Sequence, residues 1–308
     1  MPFIEGSDGA QLYYKDWGSG PAVVFSHGWP LSADAWDVEL KLLADNGFRA
    51  IAHDRRGHGR SEQTWSGNDM DTYAADLAAL INGLRLSDVV VVGHSTGGGE
   101  VVRYAARHGA GRVRKVITVG AVPPVMVASA ENPEGTPLSV FDDIRARVLD
   151  NRSGYWRELA VAFYGFNRDG ATVSQGLIDH FWLQGMQAGL ASAYDCVKAF
   201  SETDLTADLR ALEAPILIAH GDDDQIVPIH DAASKSIELV RYGTLRVYPG
   251  APPRYSRRLP ATAESRSAGL HSELSESMSA TSRVGTAMPS CRRKTTSACS
   301  PVDFSMNR

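Results

Sequence analysis

Gly93-His94-Ser95-Thr96-Gly97 sets a serine between two glycines, directly after the apolar run Val89–Val92 and directly before a helical pattern. A strand that turns at once into a helix forces the serine hydroxyl outward, clear of its own backbone, which is the context of a nucleophile elbow. The turn needs glycines because side chains there would collide. The helix that follows aims its positive N-terminus at charge developing beside the serine. Chance matches to glycine-x-serine-x-glycine are common, but the strand before and the helix after favour a functional reading here. A serine so placed requires a base to take its proton, an acid to orient that base, and two backbone N–H donors for the oxyanion.

The first donor is expected from Thr96, just after the serine. The second is expected from the loop in Phe25–Ser32, where His27-Gly28-Trp29-Pro30 ends a strand at Gly28, so that Trp29 gives its N–H. His27 is tempting as a base, but it sits in a tight turn at the strand end, and a structural role is the better reading. In His53–Ser61 the sequence HDRRGHGRS offers Asp54, Arg55 and Arg56 as a phosphate site. No Walker pattern accompanies them, so loop scaffolding is preferred. The acid is expected after a late strand, among Asp222, Asp223 and Asp224. Asp224 follows Gly221 and precedes Pro228 in the spacing expected of a catalytic acid, with Asp222 as the alternative; a triple aspartate is also read as merely solvated or as a weak cation site. The order serine then aspartate suits a Ser-Asp-His triad.

Near-continuous β-branched runs recur at Ala22–Gly28, Phe48–Asp54, Asp88–His94, Val113–Gly120, Ala214–Gly221 and Thr244–Gly250. Such runs imply strands buried on both faces and hence a parallel sheet. Between them Asp34–Asn46, Thr72–Leu84, Gly98–Arg107 and Asp231–Val240 repeat apolar residues at helical spacing. Strand and helix in alternation give an α/β fold with right-handed crossovers.

From Pro123 to Leu212 the alternation gives way to helical patterning with Trp156, Phe163, Tyr164, Phe166, Phe181 and Trp182, most of them expected in a core and a few along a pocket. The division expected is a core at 1–122, a helical cap at 123–212, core again at 213–250 and a tail at 251–308. Residues 251–308 hold twelve serines, 9 basic and 4 acidic residues, against 22 basic and 32 acidic in the 250 before them. Their composition resembles a disordered tail. The whole chain carries −5, which argues against a nucleic-acid partner. No apolar run is long enough to span a membrane, and the opening residues lack a signal-peptide pattern. Cys196, Cys291 and Cys299 show neither metal spacing nor a disulfide framework, so the expected location is cytoplasmic.

Taken together, FSHGWPLSADAW, HDRRGHGRS, VVVVGHSTGGGEVVRY, HGDDDQIVPI and VYPGAP resemble the α/β-hydrolase superfamily, and within it the bacterial cofactor-free haloperoxidases and aryl esterases. The resemblance covers residues 1–252. It implies an α/β-hydrolase fold, a mostly parallel sheet flanked by helices with a helical cap insertion. It implies Ser95 as nucleophile, Asp224 as acid, and the N–H groups of Trp29 and Thr96 as oxyanion hole. It implies hydrolysis of small esters, and acyl exchange with hydrogen peroxide to a peracid that oxidises halide. No haem, metal or other cofactor is implied; a homo-oligomer is left open.

The departure from the family lies at residue 253. There the resemblance calls for Gly-Ala-Pro-His-Gly and a final amphipathic helix, but Gly250-Ala251-Pro252 is followed by Pro253. His271 is the only histidine beyond it. Pro253-Arg254-Tyr255 is encodable as CCA-CGG-TAT, and deleting one C gives CAC-GGT-AT, which restores His-Gly. This points to a one-base insertion and an out-of-frame tail, against the alternative of an evolved one. The expected activity is therefore that of a serine hydrolase impaired for want of its base. The competing readings are an inactive fold that binds small acyl ligands and a product too poorly folded to act.

Overall fold

The continuous apolar runs form strands: every residue of Ala22–Ser26, Val89–His94 and Ile216–Gly221 is buried, alternately on one sheet face and the other, while the edge run Gly243–Tyr248 is half exposed. The computed structural model describes residues 2–253. The strands are β1 (Phe3–Glu5), β2 (Gln11–Gly18), β3 (Ala22–Ser26), β4 (Arg49–His53), β5 (Val89–His94), β6 (Val113–Val119), β7 (Ile216–Gly221) and β8 (Gly243–Tyr248). They make one sheet in the order β1-β2-β4-β3-β5-β6-β7-β8. From β3 to β8 every pairing is parallel, and only β1–β2 and β2–β4 are antiparallel. In β3, Ala22 and Val24 join one core cluster while Val23 and Phe25 join the other; Val89 and Val91 are separated from Val90 and Val92 in the same way. That two-residue alternation between two apolar layers is why these strands read as unbroken hydrophobic runs.

All six expected strands are present with slightly shorter bounds. The β1–β2 hairpin was not expected. Gln-Leu-Tyr-Tyr-Lys-Asp-Trp-Gly in β2 mixes buried and partly buried residues, with exposed ones at its ends, and has no β-branched run, so it lacks the signal that marked the others. The helices on the sheet are α1 (Asp37–Asp45), α2 (Met70–Gly83), α3 (Thr96–Arg107) and α8 (Ala233–Leu239), close to the four periodic segments. Asp69 caps α2, its side chain accepting the Thr72 N–H at 2.9 Å and so satisfying one of the helix's first donors.

The segment between β6 and β7 is helical, as its patterning implied: α4 (Leu138–Phe163, interrupted at Asn151), α5 (Gln175–Gln187), α6 (Leu190–Ser201) and α7 (Thr206–Ala211). Trp156, Phe163, Tyr164 and Phe181 are buried in one cluster with Trp29 and Phe200, and Phe166 and Trp182 pack on its edge. The short α7 lies with the sheet's own layer: Leu209 shares a cluster with Val101 and Val102. Arg103 and Arg107 of α3 hold its Asp208 at 2.9 and 2.7 Å.

Among the described residues no helix is long and apolar enough to cross a membrane. Apart from Ala251–Pro253, the segment read as a disordered tail, with His271, lies outside the described residues. Ala251 is fully buried, and its N–H donates to Tyr248 O at 3.2 Å.

Candidate active site

Ser95 stands at the end of β5, one residue before α3, with φ 52° and ψ −119°. A left-handed φ in a side-chain-bearing residue costs of order 1–3 kcal/mol and persists only where the surroundings enforce it. Here the surroundings are backbone in close contact. A Cβ on Gly93 would meet Gly97 O at 2.1 Å, and one on Gly97 would meet Ser26 O at 2.4 Å. The two glycines of the motif therefore let strand, turn and helix touch without side chains between them. Ser95 N–H donates to Val119 O at 3.1 Å, and Ser95 O accepts the Gly98 N–H at 2.9 Å, which pins the turn to β6 and to its own helix.

Thr96 is the first residue of α3 and is fully buried. At that position a helix offers no carbonyl to the N–H group. Gly28 runs beside the serine: a Cβ there would stand 3.1 Å from Ser95 Cβ. Trp29 follows, its indole Nε1–H donating to Ala193 O at 2.9 Å and its ring edge-on to Trp156 at 4.9 Å. The Trp29 side chain is thus fixed into the insertion while Gly28, just before it, borders Ser95.

The three consecutive aspartates have different surroundings. Asp222 is exposed and accepts the Gly250 N–H at 2.6 Å. Asp223 pairs with Arg168 at 2.5 Å. Asp224 is buried, its Oδ1 taking the N–H groups of Ile226 and Val227 at 2.9 and 2.8 Å. Its Oδ2, also buried, has no hydrogen-bond donor among the described residues. His220 Nε2 comes within 3.4 Å of that oxygen but is committed to Val227 O at 2.8 Å. Leaving a buried acceptor unsatisfied costs about 1–3 kcal/mol, more when it is charged. Both Asp224 and Pro253 border Gly120: a Cβ there would meet Asp224 Oδ2 and Pro253 O at 3.2 Å each. Ser95, Gly120 and Asp224 thus stand at the carboxyl ends of the adjacent strands β5, β6 and β7.

His27 has the structural part expected of it. Its Nε2 accepts the Arg55 N–H at 2.9 Å, so the proton sits on Nδ1, which donates to Gly28 O at 2.9 Å. Burial, and then the charge of Arg55, hold its pKa well below the ordinary value, so it stays neutral. The HDRRGHGRS loop is scaffolding, as read. Asp54 accepts the Ala33 N–H at 2.7 Å and binds Arg60, while Arg56 is held by Asp8 and Asp76.

Sequence reasoning missed the group behind the serine. Glu100 of α3, with no exposed surface, accepts from Ser26 Oγ at 2.7 Å, His53 Nε2 at 2.9 Å and Arg55 Nε at 2.7 Å. Arg55 also donates to His27 O at 2.6 Å. The network ties the helix after the serine to the backbone just before Gly28 and Trp29. Its one sequence signal was a lone carboxylate on the apolar stretch of α3. Among the described residues no group of three or more His, Cys, Asp or Glu side chains is arranged to hold a metal ion.

A family model described as alpha/beta hydrolase fold matches residues 21–252, ending one residue before Pro253. The chain is 59% identical over 251 residues to a non-heme haloperoxidase of Rhodococcus erythropolis, covering 81% of this chain and 92% of that protein. It is 49% identical over 255 residues to a bifunctional esterase/perhydrolase of Acinetobacter calcoaceticus, covering 82% and 92%. The crystal structure of a bromoperoxidase from Bacillus anthracis superposes with a TM-score of 0.79 at 32% identity, over 91% of this chain and 98% of the other. The chain belongs to the alpha/beta hydrolase fold family.

Proposed function

We propose that the site is that of a serine hydrolase for small carboxylic esters, with Ser95 as nucleophile, Asp224 as acid, and the N–H groups of Trp29 and Thr96 as oxyanion hole. The observation that carries this is the strained Ser95 turn between β5 and α3, with the buried Asp224 carboxylate at the end of β7. In this reading Ser95 Oγ attacks the ester carbonyl, its proton passes to a base and on to the departing alcohol, and an acyl-serine forms. Water releases the acid from it. Hydrogen peroxide in place of water releases a peracid, and the peracid passes one oxygen to a halide ion with a proton, giving hypohalous acid and the carboxylic acid. The similarity to a haloperoxidase and to an esterase/perhydrolase supports both outcomes. The insertion's aromatic cluster, reaching Trp29 beside the serine, favours a small apolar acyl group.

In this reading the expected base is missing from residue 253. Residue 253, whose carbonyl oxygen, like Asp224 Oδ2, would lie 3.2 Å from a Cβ on Gly120, is a proline, and the match to the family model ends at residue 252. Loss of the histidine of such a triad lowers kcat about a millionfold, with roughly a thousandfold over water remaining. In its present form the chain is accordingly a hydrolase fold held near zero turnover, and the second reading is an inactive α/β-hydrolase fold that binds small acyl ligands. The test is p-nitrophenyl acetate hydrolysis by this chain and by one with the reading frame restored at codon 253. The restored chain hydrolyses the ester and brominates with peroxide, and Ser95→Ala abolishes both. Normal turnover by the unrestored chain, lost on Ser95→Ala, would mean that another histidine serves and that Pro253 is innocent.

A further inference from the structure

We propose that two copies of this chain associate through the outer edge of β8, paired antiparallel about a two-fold axis so that their sheets run on as one. The backbone defines the edge. Ile216 N–H donates to Tyr242 O at 2.8 Å, and Asp222 N–H donates to Tyr248 O at 3.3 Å. Backbone groups alternate in direction along a strand, so Tyr242, Thr244, Arg246 and Tyr248 turn theirs toward β7, while Gly243, Leu245 and Val247 turn theirs outward. Among the described residues no strand lies beyond β8 in the sheet. Folded proteins blunt such edges with short strands, proline or charge. The opposite edge, β1, is three residues long. β8 has six residues, none of them proline, and Val247 in its outward set is 41% exposed.

The occupant is a second copy because the edge is complementary to itself. Residues directly opposite in an antiparallel pair share a sheet face, so the two-fold axis must pass through one residue of β8. All the outward groups of the strand find partners within it only when that residue is Leu245. Leu245 then forms a closely spaced pair with its own copy, and Gly243 pairs with Val247 on either side, each donating and accepting. Val247 covers a glycine, which has no side chain to oppose it. Moving the axis one residue on sets Arg246 against Arg246, and like charges directly opposite are destabilising. In the Leu245 register Arg246 faces Thr244, and Tyr242, 51% exposed, faces Tyr248. The same register lays the exposed Arg241 of each copy beside the turn at Pro249–Gly250 of the other. That turn carries the exposed Asp222, which accepts the Gly250 N–H at 2.6 Å. An opposite-charge contact thus closes each end of the ladder. A two-fold contact is closed, so it gives a dimer and no filament. Nothing in it depends on the hydrolase reading.

The experiment is sedimentation velocity of the full chain over a range of concentrations. The contact is small, so monomer is expected to give way to dimer with a dissociation constant on the order of 1–100 µM. Val247→Pro removes the N–H from both Gly243–Val247 pairs and leaves every bond to β7 in place; it is expected to weaken association roughly tenfold or more. Val247→Lys puts charge on the edge without altering the backbone and weakens it too, with circular dichroism reporting the fold of both variants. Arg241→Glu, which opposes Asp222 of the other copy, weakens association, and adding Asp222→Arg restores it, an outcome that loss of folding does not produce. Register is read by cross-linking in a chain with Cys291→Ser and Cys299→Ser. There Leu245→Cys gives a disulfide-linked dimer on mild oxidation, because its Cα lies about 5.5 Å from that of its copy. Thr244→Cys, offset from its copy by about 7–8 Å, does not. A chain that stays monomeric throughout, assembly that grows beyond the dimer, a dimer that both Val247 variants leave unchanged, or cross-linking at position 244 equal to that at 245 overturns the proposal.

Discussion

Glu100 has the most constrained surroundings of any carboxylate near the serine. Burial alone would raise its pKa, but Arg55, His53 and Ser26 together bring it down to about 2. Glu100→Ala strips Arg55 of its buried counter-charge, and breaking such a pair from one side costs about 3–5 kcal/mol. Urea unfolding measures this, and a loss below 1 kcal/mol would mean that water replaces the carboxylate at no cost. Gly97→Ala is expected to act by contact instead. Its Cβ would fall 2.4 and 2.7 Å from the carbonyl oxygens of Ser26 and His27, which are backbone and cannot swing aside. Overpacking of this kind costs about 1–3 kcal/mol or more, and the variant should unfold at lower urea. Ser95 and its glycines were legible because the turn is written in five adjacent residues. The Glu100 network was not, because Arg55 and Ser26 lie 45 and 74 positions away in the chain. Nothing local marks partners so distant.

At the level of elements, the buried parallel strands were legible because both faces are apolar, whereas the amphipathic β2 was hidden in a mixed stretch. Also illegible was the way the insertion is fastened to the acid loop. Arg168, in the turn after α4, binds Asp223 through its side chain and its carbonyl, and Asn167 Nδ2 donates to Gln225 Oε1 at 2.9 Å. Gly165 lies against Pro252, where a Cβ would touch the proline ring at 3.2 Å. The turn at 165–168 therefore braces both segments that flank the buried oxygen of Asp224. Arg168→Ala should release that brace without unfolding the sheet. Amide hydrogen exchange is expected to quicken in residues 164–168 and 222–227 and to stay unchanged in β5. Exchange that stays slow around Asp224 would show that Oδ1 and its two backbone donors suffice to hold the loop.

For the molecule as a whole, the histidines packed behind the serine set its response to acid. Burial, and then the positive charge of Arg55, push His58 down from 6.5 to about 3, and hold His27 well below the same ordinary value. In the folded chain both stay neutral, while in the unfolded chain each takes a proton near pH 6.5. Between 6.5 and 3 the unfolded state thus binds more protons, so stability is full above pH 6.5 and falls as the pH drops. At pH 5 His58 alone removes about 2 kcal/mol, and His27 acts in the same direction. Glu100 joins below pH 4.5, because its folded value near 2 keeps it ionised after its unfolded counterpart has protonated. Against a net stability of about 5–15 kcal/mol, these losses predict a urea midpoint that declines steadily from pH 7 to pH 4. His58→Gln should flatten the first part of that decline, between pH 6.5 and 4.5, because glutamine has no proton to take in the unfolded chain. The steeper part below pH 4.5 should remain. If the His58→Gln midpoint instead tracks the unaltered chain at every pH, the buried imidazole is not what limits stability in acid.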